Sequence, residues 1–334
     1  MFAAENHANP QFALSSLGGL YVLLCFPPTD PVERRAALAA IERHRLLMDD
    51  ERLTTFVVTR DRAEYAAQGV TRGLRWFMDP EGEIAALYGA GEGLWVVLDP
   101  MQRLLVMGLM AETDRVFADL SRRPPPDQHA GVEVVAPVLI VPRVLETDLC
   151  RRLIALYDAE GGAPSGTMQQ QDGRTVGVLS SFKKRRDAMI EDEALQADIR
   201  DRLRVRLLPQ IEKAFQFNAT RIERYIVACY DASEGGYFRP HRDNTTTGTA
   251  HRKFAVSINL NDNFVGGDLR FPEFGRRTYR PPLGGAVVFS CSLLHEATPV
   301  TRGTRYATLP FLYDEDGARV RAANLHTLGV AAET

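Results

Sequence analysis

Between Arg224 and Tyr313 the chain alternates short apolar runs with turn residues. The runs are Arg224–Cys229, Phe254–Leu260, Asp268–Phe271, Ala286–Phe289 and Ala307–Tyr313, all of strand length. Brief strands at such close spacing bury their apolar faces only when sheet packs on sheet, so this half of the chain is expected to be a β-sandwich or jelly roll. Helices precede it. Glu193–Phe217 carries Leu195, Ile199, Leu203, Leu207, Ile211 and Phe215 every four residues, the pattern of one long buttress helix. Asp148–Glu160 reads as a second helix, with Leu149, Leu153, Ile154 and Tyr157 on one face and Thr147 as its cap. Val132–Val141 reads as a first strand, Gly161–Gly177 as a mobile loop and Lys183–Asp187 as a charged segment. Helices first and strands later fit a double-stranded β-helix backed by helices.

The stretch Tyr230–Asp243 ends in His241-Arg242-Asp243. On a strand, residues i and i+2 face the same side, so the imidazole and the carboxylate can reach one ion. His295, just after the apolar run ending at Phe289, is a third candidate ligand. Two histidines and one carboxylate on one face of a metal leave positions open for substrates, the arrangement of non-haem Fe(II) oxygenases. Such a set can also hold zinc. Arg305, ten residues beyond His295, tips the choice to iron: an inward arginine suits a dicarboxylate co-substrate and has no evident purpose in a zinc hydrolase. The bland alternatives are a surface turn pair for His241 and Asp243, and a surface position for Arg305. Tyr230 and Tyr237 can equally be core aromatics. His251 reads as a loop histidine and Cys291 as buried filler. Arg239 and Arg242 flank the expected mouth, and Lys183–Arg186 either folds over it or forms a solvated face.

With 334 residues there is room for two domains. The triple proline in Ser121–Ala130 places a stiff linker over 122–130, between domains expected at 1–121 and 131–334. A formal net charge of -3 gives no sign of a nucleic-acid or membrane partner. Cys25, Cys150, Cys229 and Cys291 show no CxxC spacing, which argues for a reducing cytosol and against a disulfide framework or structural zinc. Met1 to Gln11 makes a poor signal peptide, and Leu17–Phe26 is too short to span a bilayer. A soluble, cytoplasmic protein is expected.

In the first half, strand 17–26, the break Pro27-Pro28-Thr29-Asp30-Pro31, a helix over Val32–Met48 capped by Asp30, a strand at Leu53–Thr59 and strand-then-turn units at Trp76–Gly82 and Leu94–Pro100 imply an α/β layer with parallel pairing. The Phe-Pro-Pro-Thr-Asp-Pro segment, Met78–Gly89 and Val97–Pro100 resemble the peroxiredoxin branch of the thioredoxin fold over roughly residues 10–120. That family's peroxide-attacking cysteine belongs at the start of the helix, where Thr29, Asp30, Pro31 and Val32 stand here. Cys25 lies inside the apolar strand and reads as a structural thiol. The resemblance therefore implies a thioredoxin-like fold without thiol chemistry, serving as a docking or homodimerisation module.

In the second half, Ile226–Tyr230, Tyr237-Phe-Arg-Pro-His241-Arg-Asp243-Asn, Leu260-Asn261, Gly266-Gly267-Asp268-Leu269-Arg270, His295-Glu and Thr304-Arg305-Tyr306-Ala307 resemble the prolyl hydroxylase branch of the Fe(II)/2-oxoglutarate dioxygenases, over roughly residues 134–315. The resemblance implies that His241, Asp243 and His295 bind Fe(II) and that Arg305 holds the distal carboxylate of 2-oxoglutarate. It implies Tyr230 as a hydrogen-bonding partner of the co-substrate. Asn259 stands where some members carry a tyrosine, which leaves its role open. The implied reaction hydroxylates a substrate C–H bond with O2 while 2-oxoglutarate is decarboxylated to succinate and CO2, with ascorbate a candidate reductant. A peptidyl prolyl or related residue is the favoured substrate, and a free amino acid or small metabolite the alternative. Rivals of other classes are a thiol-redox or peroxidase-like protein and a non-catalytic interaction module.

Overall fold

The computed structural model describes residues 2–7, 9–91 and 93–329. They form two compact units, one of residues 1–135 with 272–276 and one of 136–271 with 277–334. The extreme ends of the two expected domains lie outside the described residues. Among the described residues no helix is long and apolar enough to cross a membrane.

In the first unit the elements run β1 (Ala3–Asn6), β2 (Asn9–Ala13), β3 (Tyr21–Phe26), α1 (Pro31–Arg43), β4 (Leu53–Thr59), α2 (Arg62–Ala66), β5 (Leu74–Met78), α3 (Glu83–Tyr88), β6 (Leu94–Leu98), β7 (Leu104–Leu109) and α4 (Thr113–Arg122). The sheet order is β2-β1-β5-β4-β3-β6-β7, with β3, β4 and β5 parallel and β6 and β7 antiparallel. Alternate residues of β3 serve two cores. Tyr21, Leu23 and Cys25 pack with Ile41 of α1 and Phe117 of α4, while Val22, Leu24 and Phe26 pack with Ile84 of α3. Burial on both faces explains why β3 reads as an unbroken apolar run. Asp30 caps α1, its Oδ1 accepting from the N–H groups of Val32 (2.8 Å) and Glu33 (2.9 Å).

The second unit holds β8 (Leu139–Val141), α5 (Thr147–Glu160), β9 (Ala163–Pro164), β10 (Thr167–Gln171), β11 (Arg174–Val178), β12 (Lys183–Lys184), β13 (Arg186–Met189), α6 (Glu193–Arg202) and α7 (Leu208–Phe215). Then follow β14 (Arg221–Glu223), β15 (Ile226–Asp231), β16 (Tyr237–His241), β17 (Phe254–Asn259), β18 (Val265–Gly266), β19 (Leu269–Arg270), β20 (Thr278–Tyr279), β21 (Ala286–Ser290), β22 (His295–Ala297), β23 (Val300–Arg302), β24 (Thr304–Thr308) and β25 (Phe311–Tyr313). One sheet orders β12-β16-β22-β19-β20 and the other β14-β25-β17-β24-β15-β13-β9, with β21 and β8 extending from β17. Ile226, Ala228 and Tyr230 of β15 share a cluster with Ala297 of β22 and Phe238 of β16, so apolar side chains of the two sheets meet. Val227 and Cys229, on the opposite face of β15, join Leu153 of α5 and Ile199 of α6 in the largest core. This β-rich core fits a jelly roll whose larger sheet is backed by helices.

Four local expectations are corrected. The strand expected over Val132–Val141 shrinks to β8, because Pro137 and Pro142 cannot donate to a ladder. The helix α5 starts at Thr147 itself. Glu146 stands at its cap position without a side-chain cap bond, its carboxylate engaged by Arg206 and Arg202. Gly161–Gly177 is no loop: β9 and most of the β10–β11 hairpin lie within it, the hairpin turning through Asp172 and Gly173, both at positive φ. The single long helix is α6, a π-helical stretch Leu203–Leu207, and α7, which ends at Phe215 before the left-handed Gln216. A spacing of four residues advances an α-helical stripe by about 40° too far at each step. The wider π turn resets the stripe, so Leu195, Ile199, Leu203, Leu207 and Ile211 all stay buried. Leu153 is fully buried in the same core, and Leu153→Ala is expected to cost about 2–5 kcal/mol, read as a lower urea midpoint at unchanged m-value.

Candidate metal centre

The sheet that contains β16 and β22 brings the first two candidates together. His241 closes β16 and His295 opens β22, and they pair directly across the ladder with ring centroids 4.3 Å apart. Asp243 does not share the strand, as the i, i+2 argument expects; it lies in the turn just beyond β16. Its backbone N–H donates to the carbonyl of Cys291 (3.0 Å), which turns its carboxylate back to the histidines. Asp243 Oδ1 stands 3.6 Å from His241 Nε2 and Oδ2 stands 3.3 Å from His295 Nε2. One ligating atom from each of the three lies within 4.8 Å of the others.

The donor set fits a metal. His241 Nδ1 donates to the carbonyl of Arg239 (2.7 Å) and His295 Nδ1 to that of Leu293 (3.0 Å), which fixes both tautomers and leaves the Nε2 lone pairs facing Asp243. Donors about 2.1 Å from a shared ion and at right angles to one another lie about 3 Å apart, close to the spacing seen. Burial, aided by neighbouring His241, lowers the His295 pKa to about 4, so the ring is a neutral ligand near pH 7. Burial alone would raise the Asp243 carboxyl, but His295 and His241 outweigh it and hold the group well below the usual carboxylate range. Phe238 stacks on His241 (3.4 Å between centroids) and Phe289 abuts His295, so both rings are wedged in place.

The other sheet supplies a buried cation. Arg305 of β24 is only 2 % exposed. It pairs across the ladder with Tyr230 of β15, its guanidinium 5.3 Å from the tyrosine ring. Its Nε donates to Asn259 Oδ1 (3.0 Å) and its Nη2 to Ser257 Oγ (2.7 Å), both on the same face of β17. Asn259 is itself fixed by donating to the Pro281 carbonyl (3.0 Å). Among the described residues Arg305 makes no ion pair, and a buried charge without a counter-ion costs several kcal/mol unless a ligand supplies one. Gly267, at φ +70°, keeps space beside it: a Cβ there would sit 2.8 Å from Val300 and 3.1 Å from Arg305 Cδ.

The remaining candidates separate. Tyr237 donates to the Ser181 carbonyl (2.6 Å) and so anchors the segment before β12. Cys291 is buried, and burial pushes its thiol well up. Arg239 is exposed, and Arg242 donates to the Ser292 carbonyl. His251 is buried and paired with Glu223, unlike a free loop histidine. The expected charged segment is largely interior: Lys183 and Arg185 are buried. Arg185 is held by both oxygens of Asp187 (2.7 and 2.6 Å) and reaches the Tyr230 hydroxyl at 3.4 Å. Glu223, Arg252 and Ser257 carry no sequence signal of a role, whereas the alternation of 183, 185 and 187 within the charged segment is a signal that points inward.

Lys183 donates to Ser165 Oγ (2.7 Å) and to the Gly166 carbonyl (2.9 Å). Burial, aided by Arg185, pushes its pKa down to about 6 from 10.5. Between those values the unfolded chain holds a proton that the folded chain lacks, so this group makes stability rise with pH across that window. Lys183→Met is expected to flatten the rise, checked by urea midpoints at pH 7 and pH 9.

Comparison with known proteins places these observations. Residues 225–313 match the 2OG-Fe(II) oxygenase superfamily, so the second unit contains a domain of that type. A PKHD-type hydroxylase of Synechococcus sp. (strain JA-2-3B'a(2-13)) is 28% identical over 98 residues, which is 27% of this chain and 43% of the relative. A PKHD-type hydroxylase of Stutzerimonas stutzeri (strain A1501) is 28% identical over 162 residues, 45% of this chain and 71% of the relative. The chain thus spans less than half of the Synechococcus protein's length. Among solved structures, a Pseudomonas putida prolyl-4-hydroxylase is 24% identical with a TM-score of 0.41, covering 56% of this chain and 96% of that one. A Trichoplax adhaerens prolyl hydroxylase in complex with a hypoxia inducible factor peptide fragment is 20% identical with a TM-score of 0.42, covering 57% and 87%.

Proposed function

We propose that this chain is an Fe(II)- and 2-oxoglutarate-dependent oxygenase that hydroxylates a C–H bond, with a peptidyl prolyl or related residue as the favoured substrate. The observation that carries the reading is Arg305, a buried cation that makes no ion pair among the described residues, in the unit that holds the His241, Asp243 and His295 cluster. In this reading the three residues hold Fe(II), and Arg305 receives the distal carboxylate of 2-oxoglutarate. Iron, when bound, supplies O2 activation coupled to decarboxylation of 2-oxoglutarate to succinate and CO2.

The chain's own residues supply geometry. Asn259 and Ser257 lock the Arg305 guanidinium before the co-substrate arrives, so little side-chain entropy is lost on binding. The Tyr230 ring packs near the guanidinium groups of both Arg305 and Arg185, which fixes it beside the site. Phe238 and Phe289 exclude water from the flanks of the two imidazoles.

The first unit is proposed as a thioredoxin-like, peroxiredoxin-related domain over 1–121, joined by the Pro-rich linker 122–130 to the oxygenase domain 131–334. The parallel β3-β4-β5 order supports it, and so does the Asp30-capped helix after the Pro27–Pro31 break. In this reading the domain serves docking or homodimerisation in the cytoplasm, and ascorbate serves as reductant. Burial pushes the Cys25 thiol far above its ordinary range, so Cys25 is expected to resist iodoacetamide at pH 8 in the native protein. Peroxide turnover that vanished in Cys25→Ser would instead favour a thiol peroxidase.

The test of substrate class is incubation of the full chain with Fe(II), 2-oxoglutarate, O2 and a proline-containing peptide library. Peptides gaining one oxygen atom in step with succinate support the proposal. Succinate formation coupled only to free amino acids would shift the reading to a metabolite hydroxylase.

A further inference from the structure

The metal cluster is anchored unequally. His241 and His295 pair with each other across the β16–β22 ladder, whereas Asp243 lies past the strand end with no ladder partner. Its N–H is tied to Cys291, and its carbonyl accepts from Arg252 Nη1 at 3.3 Å. Arg252 is in turn clamped. Its Nε and Nη2 make a bidentate pair with the two carboxylate oxygens of Glu223, on β14 (3.0 and 2.6 Å). Its guanidinium lies 4.0 Å from the centre of the Phe311 ring. His251 Nε2 completes the set at 2.6 Å from Glu223 Oε2. The buried Nδ1 of His251 has no hydrogen-bond partner among the described residues.

An arginine, a histidine and a glutamate withdrawn from water are costly unless every contact is made, and hydrophobic residues of similar volume would often serve stability as well. Burial opposes ionisation of Glu223, yet His251 and Arg252 hold its carboxyl well below the ordinary range, so it stays an anion. The set does not include Arg305, Tyr230 or either ligand histidine. It meets the cluster at the Asp243 carbonyl, and the Arg252 charge also favours the Asp243 carboxylate.

We propose that Arg252, braced by Glu223 and His251, is a positioning residue that holds the turn of Asp243 so that its carboxylate meets both imidazoles. The inference rests on the reading of His241, Asp243 and His295 as a metal site. Loss of the brace frees the peptide after Asp243 to rotate, which weakens ion binding without removing a ligand. Outer partners of metal ligands commonly contribute 10- to 100-fold in affinity, and that is about the effect expected here.

The experiment is anaerobic titration of the full chain with Mn(II), followed by free-ion EPR, on wild type, His241→Ala, Arg252→Met, Arg252→Lys and the double variant Glu223→Gln/Arg252→Met. The double variant removes both charges together, so it carries the test if Arg252→Met alone fails to fold by circular dichroism. Expected is a Kd about 10- to 100-fold weaker in Arg252→Met and in the double variant, with partial recovery in Arg252→Lys. Co(II)-saturated Arg252→Met should also show an altered d–d spectrum, which a merely stabilising role would leave unchanged. Folded variants with wild-type Kd and wild-type Co(II) spectrum overturn the proposal. Equal, negligible Mn(II) binding by wild type and His241→Ala would instead overturn the metal-site reading on which it rests.

Discussion

His295→Ala is expected to reduce Fe(II)-dependent 2-oxoglutarate turnover to background. The residue is one of three donors that the protein places around a common point. Losing an outer partner of a ligand costs about 10- to 100-fold in affinity or activity, so losing the ligand itself should exceed that range. His295 is 5 % exposed and touches Phe289 and His241, so its replacement also opens a cavity. Circular dichroism and a thermal melt separate the two effects: the variant should stay folded while anaerobic Mn(II) binding disappears. Retained ion binding at wild-type affinity would mean that the cluster is held together for another reason.

Arg305→Met carries the second large effect, and it falls on a different ligand. Truncating one partner of a buried, hydrogen-bonded charge pair costs about 2–5 kcal/mol, roughly 30- to 5,000-fold. The KM for 2-oxoglutarate should rise by that factor while Mn(II) affinity stays near wild type, because Arg305 contacts none of the three candidate ligands. Wild-type protein should gain thermal stability with added 2-oxoglutarate, about 2.7 kcal/mol at a concentration 100 times Kd, and Arg305→Met should not. Arg305→Lys keeps the charge but cannot hold Asn259 and Ser257 together, so an intermediate KM is expected. An unchanged KM in Arg305→Met would remove the observation on which the oxygenase reading leans most.

Much of this was legible in the sequence, and the limits of legibility are physical. The unbroken apolar run of β3 and the short strands of the second half follow directly from burial on both faces. The spacing of His241, Asp243, His295 and Arg305 marked the candidate site, but the strand argument placed Asp243 on β16 when a turn carries it. A period-two pattern cannot tell a strand from a turn that folds back on its end. The β10–β11 hairpin was readable from Asp172-Gly173, a pair that favours a two-residue turn; the polar strands on either side masked it. Lys183, Arg185, Glu223, His251 and Arg252 were hidden for the opposite reason. Charged residues are almost never fully buried unless paired; Arg185 pairs with nearby Asp187, but Lys183, Glu223, His251 and Arg252 are buried or half-buried through partners distant in sequence. Propensity and periodicity hold no record of such partners.

The central claim, that the chain couples iron to 2-oxoglutarate through the His241, Asp243, His295 and Arg305 set, is tested most directly by succinate formation. Purified full-length protein is incubated with 2-oxoglutarate, O2 and Fe(II), alongside His241→Ala, Arg305→Met and a chelated control. Succinate that requires Fe(II), stops on chelation, is lost in His241→Ala and needs far more 2-oxoglutarate in Arg305→Met is the predicted result. Succinate formation that is absent from wild type with every candidate substrate, together with no anaerobic Fe(II) binding, would contradict it.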